Sequence, residues 1–342
     1  MDKPPKNIGK KNRTRLPHFT EDIRLKIYYI GILSACIFST SIKAMDNKTA
    51  KLTLLSGGHS SVNVLIELPD ARYVLRHREK ASKEWFQREL FAMQEAAKLG
   101  IGPIIFHSLP NDRLILMEYV SPNDWSIQQA HREENCMRVA VALRKVHSMD
   151  KNPFLGPSRN EIMEDFYSEL LPVSEIQENT ALAIAIIRRG NRELAGISSS
   201  RSVNTHNDLN PGNILLKNDN ILFIDWEGTN YEDPFYDLCY FAIFHNYTQE
   251  LEHLLICSYL GREASVEELV RYAIAKRTTF ARIALSCYII AARSKTDPWE
   301  PSASLEDLET YVAMLAEGRY EGLSSSEFFY RFARAALLRL LI

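Results

Sequence analysis

The chain lacks the marks of several large classes. In 342 residues there is no G-x-x-x-x-G-K-[ST] string, which excludes a Walker-type phosphate loop. Asp-Phe-Gly and Ala-Pro-Glu, the ends of a protein-kinase activation segment, are both missing. Five cysteines (Cys36, Cys136, Cys239, Cys257, Cys287) are scattered without C-x-x-C or other metal spacing, as suits reduced, mostly buried thiols in a cytosolic protein. A formal charge of −2 gives no electrostatic case for nucleic acid. There is no internal repeat, and the uncharged, mostly apolar run at 27–42 is shorter than the roughly 20 residues a spanning helix needs. What remains is 46% hydrophobic and 25% charged, enough to bury sizeable cores.

One stretch carries the chemistry. His206-Asn207-Asp208-Leu209-Asn210-Pro211-Gly212-Asn213 is followed by Ile224-Asp225-Trp226-Glu227. Asp208 can accept the proton of an attacking hydroxyl, and Asn213 and Asp225 can hold the divalent metal that bridges phosphates. The residues at 213–216 and 221–224 read as two short apolar strands around the turn-rich Lys217-Asn218-Asp219-Asn220. Such a hairpin brings Asn213, at the entry of one strand, beside Asp225, at the exit of the other. Two oxygen ligands then converge on a hard cation such as Mg²⁺.

At these residues the chain resembles the aminoglycoside phosphotransferase and choline kinase superfamily, which has a protein-kinase-like fold. His-Asn-Asp-Leu-x-x-Gly-Asn-Ile-Leu is similar in wording to choline and ethanolamine kinases, and Ile-Asp-Trp-Glu to bacterial choline and thiamine kinases. Gly228 departs from those relatives, which often carry Tyr there. The resemblance runs from about residue 52 to the C-terminus and implies an α+β, two-lobed fold. A small lobe (45–120) of antiparallel sheet plus helix would bind nucleotide, and a mainly helical large lobe (121–342) would hold the catalytic hairpin and the acceptor.

Within the small lobe, 52–55 and 62–68 read as strands around Ser56-Gly57-Gly58-His59-Ser60-Ser61, whose small residues let backbone amides approach phosphates. Gly57, Gly58, Ser60 and Ser61 are the expected contacts. The strand Tyr73-Val74-Leu75-Arg76 ends in the cation that the resemblance assigns to the α/β-phosphates, with His77, Arg78 and Lys80 nearby. A helix is predicted over 82–99, capped by Ser82 and ended by Gly100. Its Glu89, in Gln87-Arg88-Glu89-Leu90, is by resemblance the acid that pairs with the strand cation. The strand at 113–120 leads into the hinge, where Met117 and Tyr119 are expected pocket walls.

In the large lobe, 133–147 has an apolar stripe (Val139, Leu143, Val146), and its His147 is expected to pack or cap. His206 and Asp237, the latter in Asp233-Pro234-Phe235-Tyr236-Asp237-Leu238, are expected to brace the catalytic loop. Amphipathic helices are predicted over 266–277 and 305–315, the second capped by Ser304 with Asp307 in the box position. For a cationic acceptor, which wants a carboxylate and aromatic faces, Glu227 and Trp299 are the expected contacts, with Tyr288 as a further wall.

These readings point to an ATP- and Mg²⁺-dependent small-molecule kinase acting on the hydroxyl of choline or ethanolamine first and thiamine next. An aminoglycoside or macrolide kinase is the first alternative. A nucleotide-binding regulator without turnover is the second, although such a protein has no need of Asp208, Asn213 and Asp225 together. No protein partner is indicated. Residues 1–26, rich in Lys, Arg and Pro, read as disordered. The run at 27–42 resembles a signal-peptide core with Ala44 at the cleavage edge, but export would separate the enzyme from ATP. Met45 is therefore read as the start of a cytoplasmic protein; a membrane anchor and a helix packed on the small lobe are the other readings.

Overall fold

The structure is a computed structural model that describes residues 51–55, 61–154, 156–197, 201–295, 297–300, 304–318 and 323–340. The leader at 1–44, Gly57, Gly58 and Ser60 lie outside the described residues. Among those described, no helix is long and apolar enough to cross a membrane.

The fold is α+β. Five strands, β1 (Lys51–Leu55), β2 (Val62–Glu67), β3 (Arg72–His77), β4 (Ile105–Leu109) and β5 (Leu114–Glu118), form an antiparallel sheet in the order β1-β2-β3-β5-β4. Side chains alternate across it as a strand requires. Leu75, Leu114 and Leu116 join Val64 and Ile66 in a small cluster on one face. Val74, Ile115 and Met117 face the other way, into the main core. There they meet Phe86, Leu90 and Met93 of helix α1 (Lys83–Lys98). Ser82 caps α1 by accepting from the Trp85 amide, and Gly100 turns the chain at φ +68°. Strand β5 is the neighbour of β3 rather than a sheet edge, because β4 pairs outside it.

The remainder is largely helical: α2 (Ile127–Ala130), α3 (Glu133–His147), α4 (Arg159–Leu170), α5 (Gln177–Ala195), then β6 (Val203–Thr205), β7 (Ile214–Lys217), β8 (Asn220–Phe223), β9 (Asn230–Glu232), and then α6 (Phe235–Phe244), α7 (Gln249–Leu260), α8 (Val266–Arg293), α9 (Leu308–Glu317) and α10 (Ser325–Leu338). Helix α8 has 28 residues and runs well past the end expected at residue 277. It packs on α5, α6 and α10. Where α5 crosses it, a Cβ on Gly190 would lie 1.9 Å from Thr278 Oγ1, so the close approach needs glycine. The cap of α9 also differs from expectation. Asp307 itself accepts from the Thr310 amide at 2.7 Å, which moves the helix start past residue 305.

Hairpin β7–β8 is flanked by Asn213 and Asp225, the two residues expected to hold a metal. Its turn residues Asn218 and Asp219 both have positive φ (49° and 64°), a conformation that suits Asn and Asp and matches the twist of a two-residue hairpin. The hairpin is tied to the end of α1 by the Phe223 amide, which donates to Ile101 O at 2.8 Å.

Candidate active site

The pairing of β7 with β8 continues one step past the strands: the Ile224 amide donates to Asn213 O at 3.0 Å. Asn213 and Asp225 are thereby neighbours, as their spacing predicts. The Asn213 side-chain amide donates to Asp208 O at 2.9 Å and to Asp208 Oδ2 at 2.8 Å. Both contacts use Nδ2, so Oδ1 is the atom left to face a cation. Asn210 supplies a second donor, to Asp208 Oδ1 at 2.9 Å, while its own Oδ1 caps the turn by accepting from the Gly212 amide. Asn210 is a positioning residue that the sequence reading passed over; its signal was the Asn-Pro-Gly cap pattern itself.

Burial pushes the Asp208 carboxyl up to about 7, helped by the charges of Asp225 and Glu227 and opposed by the Asn210 amide and Arg159. A base must be ionised to take a proton. For the free enzyme, kcat/KM is therefore expected to rise with pH, to level off above an apparent pKa of about 7, and to show that limb at lower pH in Glu227→Gln, where one repelling charge is gone. A flat profile between pH 5 and pH 9 would remove Asp208 as the titrating group.

His206 and Asp237 brace this loop. Asp237 is fully buried and accepts from the amides of His206 at 2.8 Å and Asn207 at 2.7 Å. It also meets His147 Nε2 at 3.1 Å, and His147 Nδ1 in turn meets the Tyr259 hydroxyl at 2.9 Å. His147 thus supports Asp237 from behind. The His206 ring lies between the Asp208 amide, 3.3 Å from Nδ1, and Ile224 O, 3.0 Å from Nε2. An acceptor at Nδ1 and a donor at Nε2 fix one neutral tautomer, and burial lowers the pKa of the ring, which keeps it neutral. The imidazole therefore joins the Asp208 loop to the strand end that presents Asp225. Its face packs on Trp226, with ring centroids 4.5 Å apart.

Two residues here hold left-handed backbone, Asn207 at φ +64° and Asp225 at φ +62°. Asn and Asp tolerate it better than other side chains, and such outliers collect at functional sites. Gly228 is explained by packing: a Cβ there would stand 3.0 Å from His206 O.

Above the hairpin, Arg76 and Arg78 leave β3 on the same face. Arg76 Nη2 is 2.7 Å from Glu89 Oε1 and 2.7 Å from Asp225 Oδ1. Arg78 is 2.9 Å from Glu89 Oε2 and 2.5 Å from Glu227 Oε2. One buried glutamate of α1 is clasped by two arginines, each of which also reaches an acid of the large lobe. Glu227, expected to meet a cationic acceptor, is paired with Arg78 in this structure and keeps its side chain 36% exposed. The expectation for Trp299 is corrected. It is buried in a C-terminal cluster, where its indole N–H donates to Ser326 Oγ at 2.8 Å and its face stacks on Tyr330. Tyr288 is likewise core, fully buried and hydrogen-bonded to Asn179.

A cavity of about 270 Å³ opens between sheet and hairpin, lined among others by Val74, Arg76, Met117, Tyr119, Leu215 and Asp225. Ser61 stands at the start of β2, where its hydroxyl accepts from Asn63 Nδ2 at 3.3 Å. The oxygen atoms of Asn213 and Asp225 form a hard donor set that fits Mg²⁺.

A different group of charges lies beyond Asp208. Arg88 is 2% exposed, its Nε and Nη1 have no hydrogen-bond partner, and its cation sits over the Trp85 ring. Burial and the nearby Arg159 lower its pKa to about 10. Arg159 reaches the Tyr240 hydroxyl at 3.4 Å. Glu232 pairs with the buried Arg282 through Oε2 at 2.8 Å and leaves Oε1 buried without a partner. These residues sit on four separate elements, and only the fold unites them.

Comparisons with known proteins bear on family and fold. A model of the phosphotransferase enzyme family (APH) matches residues 51–284. The chain belongs to this family. It is 24% identical over 193 residues to protein LicA of Haemophilus influenzae, a match that covers 53% of this chain and 55% of that protein, so it spans about half the length of this relative. Among solved structures, choline kinase LicA from Streptococcus pneumoniae aligns with a TM-score of 0.61 at 16% identity, over 85% of this chain and 98% of that one. A choline/ethanolamine kinase family protein from Mesorhizobium loti aligns with a TM-score of 0.59 at 21% identity, over 84% and 94%. At these identities the likeness shows the fold, which is the kinase-like fold of small-molecule phosphotransferases.

Proposed function

We propose that this chain is an ATP-dependent O-phosphotransferase that acts on a small amine-bearing metabolite, choline or ethanolamine first and thiamine next. The observation that carries the proposal is the single constellation of Asp208, held by Asn210 and Asn213, next to Asp225 at the inter-lobe cavity. Met117 and Tyr119 wall the adenine end of that cavity. Arg76, fixed by Glu89, together with Gly57, Gly58, Ser60 and Ser61, serves the phosphates. Asn213 and Asp225 would hold Mg²⁺, which would supply positive charge to offset that of the nucleotide's phosphates. The acceptor hydroxyl meets Asp208, which orients it and takes its proton as the oxygen–phosphorus bond forms and ADP departs.

Charge favours a monocationic acceptor over an aminoglycoside. A molecule with several ammonium groups wants several free carboxylates near Asp208, yet the surroundings hold Arg88, Arg159 and Arg282 against Glu232. In that group Glu232 Oε1, near Tyr236, is the carboxylate oxygen without a partner, which suits no more than one amine. A regulator without turnover would gain nothing from a carboxyl held near neutral pKa by burial and like charges.

The test is ATP consumption by the full chain, with an Asp225→Ala control, against choline, ethanolamine, thiamine, kanamycin and a macrolide. Turnover with one of the first three, absent in the control, is the expected result; turnover with kanamycin alone would replace the proposal by the antibiotic reading. Nucleotide titration of Asp225→Ala should show that Mg²⁺ no longer strengthens ATP binding. We further propose that the catalytic unit spans a nucleotide lobe at 45–120 and a catalytic lobe at 121–342. Deletion of residues 1–44 should then leave thermal unfolding and turnover unchanged, and an insoluble product would count against that division.

A further inference from the structure

Among the described residues, one group of three potential metal ligands stands apart from the active site: His253, Cys257 and Glu263. His253 and Cys257 lie one helical turn apart on α7, so their side chains share a face. Glu263 is brought back to them by the helix end, where Gly261 takes φ +71° and its amide closes the last turn on Cys257 O. The cysteine spacing in the sequence does not announce this group, because its members are of three types and the third arrives through a turn.

The geometry decides what the group can do. Cys257 Sγ is 3.5 Å from His253 Nε2 and 3.5 Å from Glu263 Oε2, and His253 Nε2 is 3.3 Å from the same Oε2. A Cys–His–acid proton relay needs the two nitrogens of the imidazole on different partners. Here a single nitrogen, a single oxygen and a single sulfur face one another, each one atom deep. Three atoms about 3.4 Å apart form the face of a tetrahedron whose centre lies about 2.1 Å from each corner, and Zn²⁺ binds N and O at roughly 2.0–2.2 Å and S at roughly 2.3 Å. The mixed N, S and O set is one that a borderline-soft cation accepts and that Mg²⁺ or Ca²⁺ does not favour.

We propose that His253, Cys257 and Glu263 form a Zn²⁺ site on the outer end of α7. The His253 and Glu263 side chains are 52% and 85% exposed, so the fourth vertex is open to water. A bound ion ties the end of α7 to the segment that enters α8 through the Ser265 cap. Its consequence is greater stability of this helix junction, since an ion that binds only the folded chain stabilises it in proportion to its occupancy. The site is independent of the kinase reading: none of its three residues is used there.

The test uses the full chain with Cys36, which lies outside the described residues, replaced by serine (Cys36→Ser). Cys136, Cys239 and Cys287 are buried, so Cys257 is the thiol among the described residues that a metal can reach. Excess Mg²⁺ is present to occupy oxygen-only sites. Co²⁺ is then added as a spectroscopic substitute for Zn²⁺, and Zn²⁺ affinity is measured by competition with a chromophoric chelator. One equivalent of metal, a thiolate-to-cobalt charge-transfer band and a Zn²⁺-dependent rise in melting temperature are expected. All three should be lost in Cys257→Ser, and Zn²⁺ binding should weaken in His253→Gln. Absence of stoichiometric binding in the parent, or a band that survives Cys257→Ser, overturns the site. Circular dichroism of each variant separates loss of metal from loss of fold.

Discussion

Asp208→Ala is expected to lower turnover by about 10²–10⁴-fold, the range typical for loss of a positioned general base, while Mg-ATP still binds. The separation follows from geometry. Arg76 and Asp225 line the inter-lobe cavity, whereas Asp208 is not among its lining residues. Removing the Asp208 carboxyl also frees the amides of Asn210, which is half-buried, and of Asn213, which is buried. Single-turnover kinetics with titrated nucleotide would measure the two effects independently. Turnover within a few-fold of the parent would take Asp208 out of the reaction; loss of ATP binding would mean that its main role is to hold Asn213.

Glu89→Gln should have the largest effect on stability. The Glu89 carboxylate is 1% exposed and lies against two guanidinium groups, themselves 6% and 7% exposed. Removal of one member of a buried ion pair costs about 3–5 kcal/mol, because the partner stays buried without its counter-charge. Arg76 keeps Asp225 and Arg78 keeps Glu227, so a loss of about 3 kcal/mol is expected, at the lower end of that range. Urea denaturation with an unchanged m-value would report it. A loss below about 1 kcal/mol would show that the two large-lobe acids alone satisfy both arginines. Turnover should fall as well, since Arg76 would no longer be fixed by helix α1.

The elements that could be read in the sequence were those set by neighbours in the chain. The β7–β8 hairpin needs only two apolar tetrapeptides and an Asn-Asp turn. The start of α1 is written in Ser82, and α3 occupies the whole of the expected 133–147. Positions decided by distant partners were not legible. Helix α8 outruns its apolar pattern because Arg282, in its second half, is buried against Glu232, fifty residues earlier. The pairing of Glu227 was hidden because Arg78 is 149 residues away. Trp299 followed the general preference of amines for aromatic rings, but its ring was already committed to Tyr330. Strand β4 is short, only partly buried and broken by a register shift against β5, so its pattern is weak.

The contact between Arg76 and Asp225 has a thermodynamic consequence. On the proposed roles, each of these two charges waits for a different ligand, and each meanwhile serves as the other's stand-in. Mg²⁺ arriving alone must compete with a guanidinium for Asp225. Nucleotide arriving alone must draw Arg76 away from a carboxylate that then repels its phosphates. When both arrive, the phosphates take the guanidinium and the ion takes the carboxylate, so the two desertions cancel. Such an exchange makes metal and nucleotide reciprocal partners, each raising the affinity of the other by one common factor.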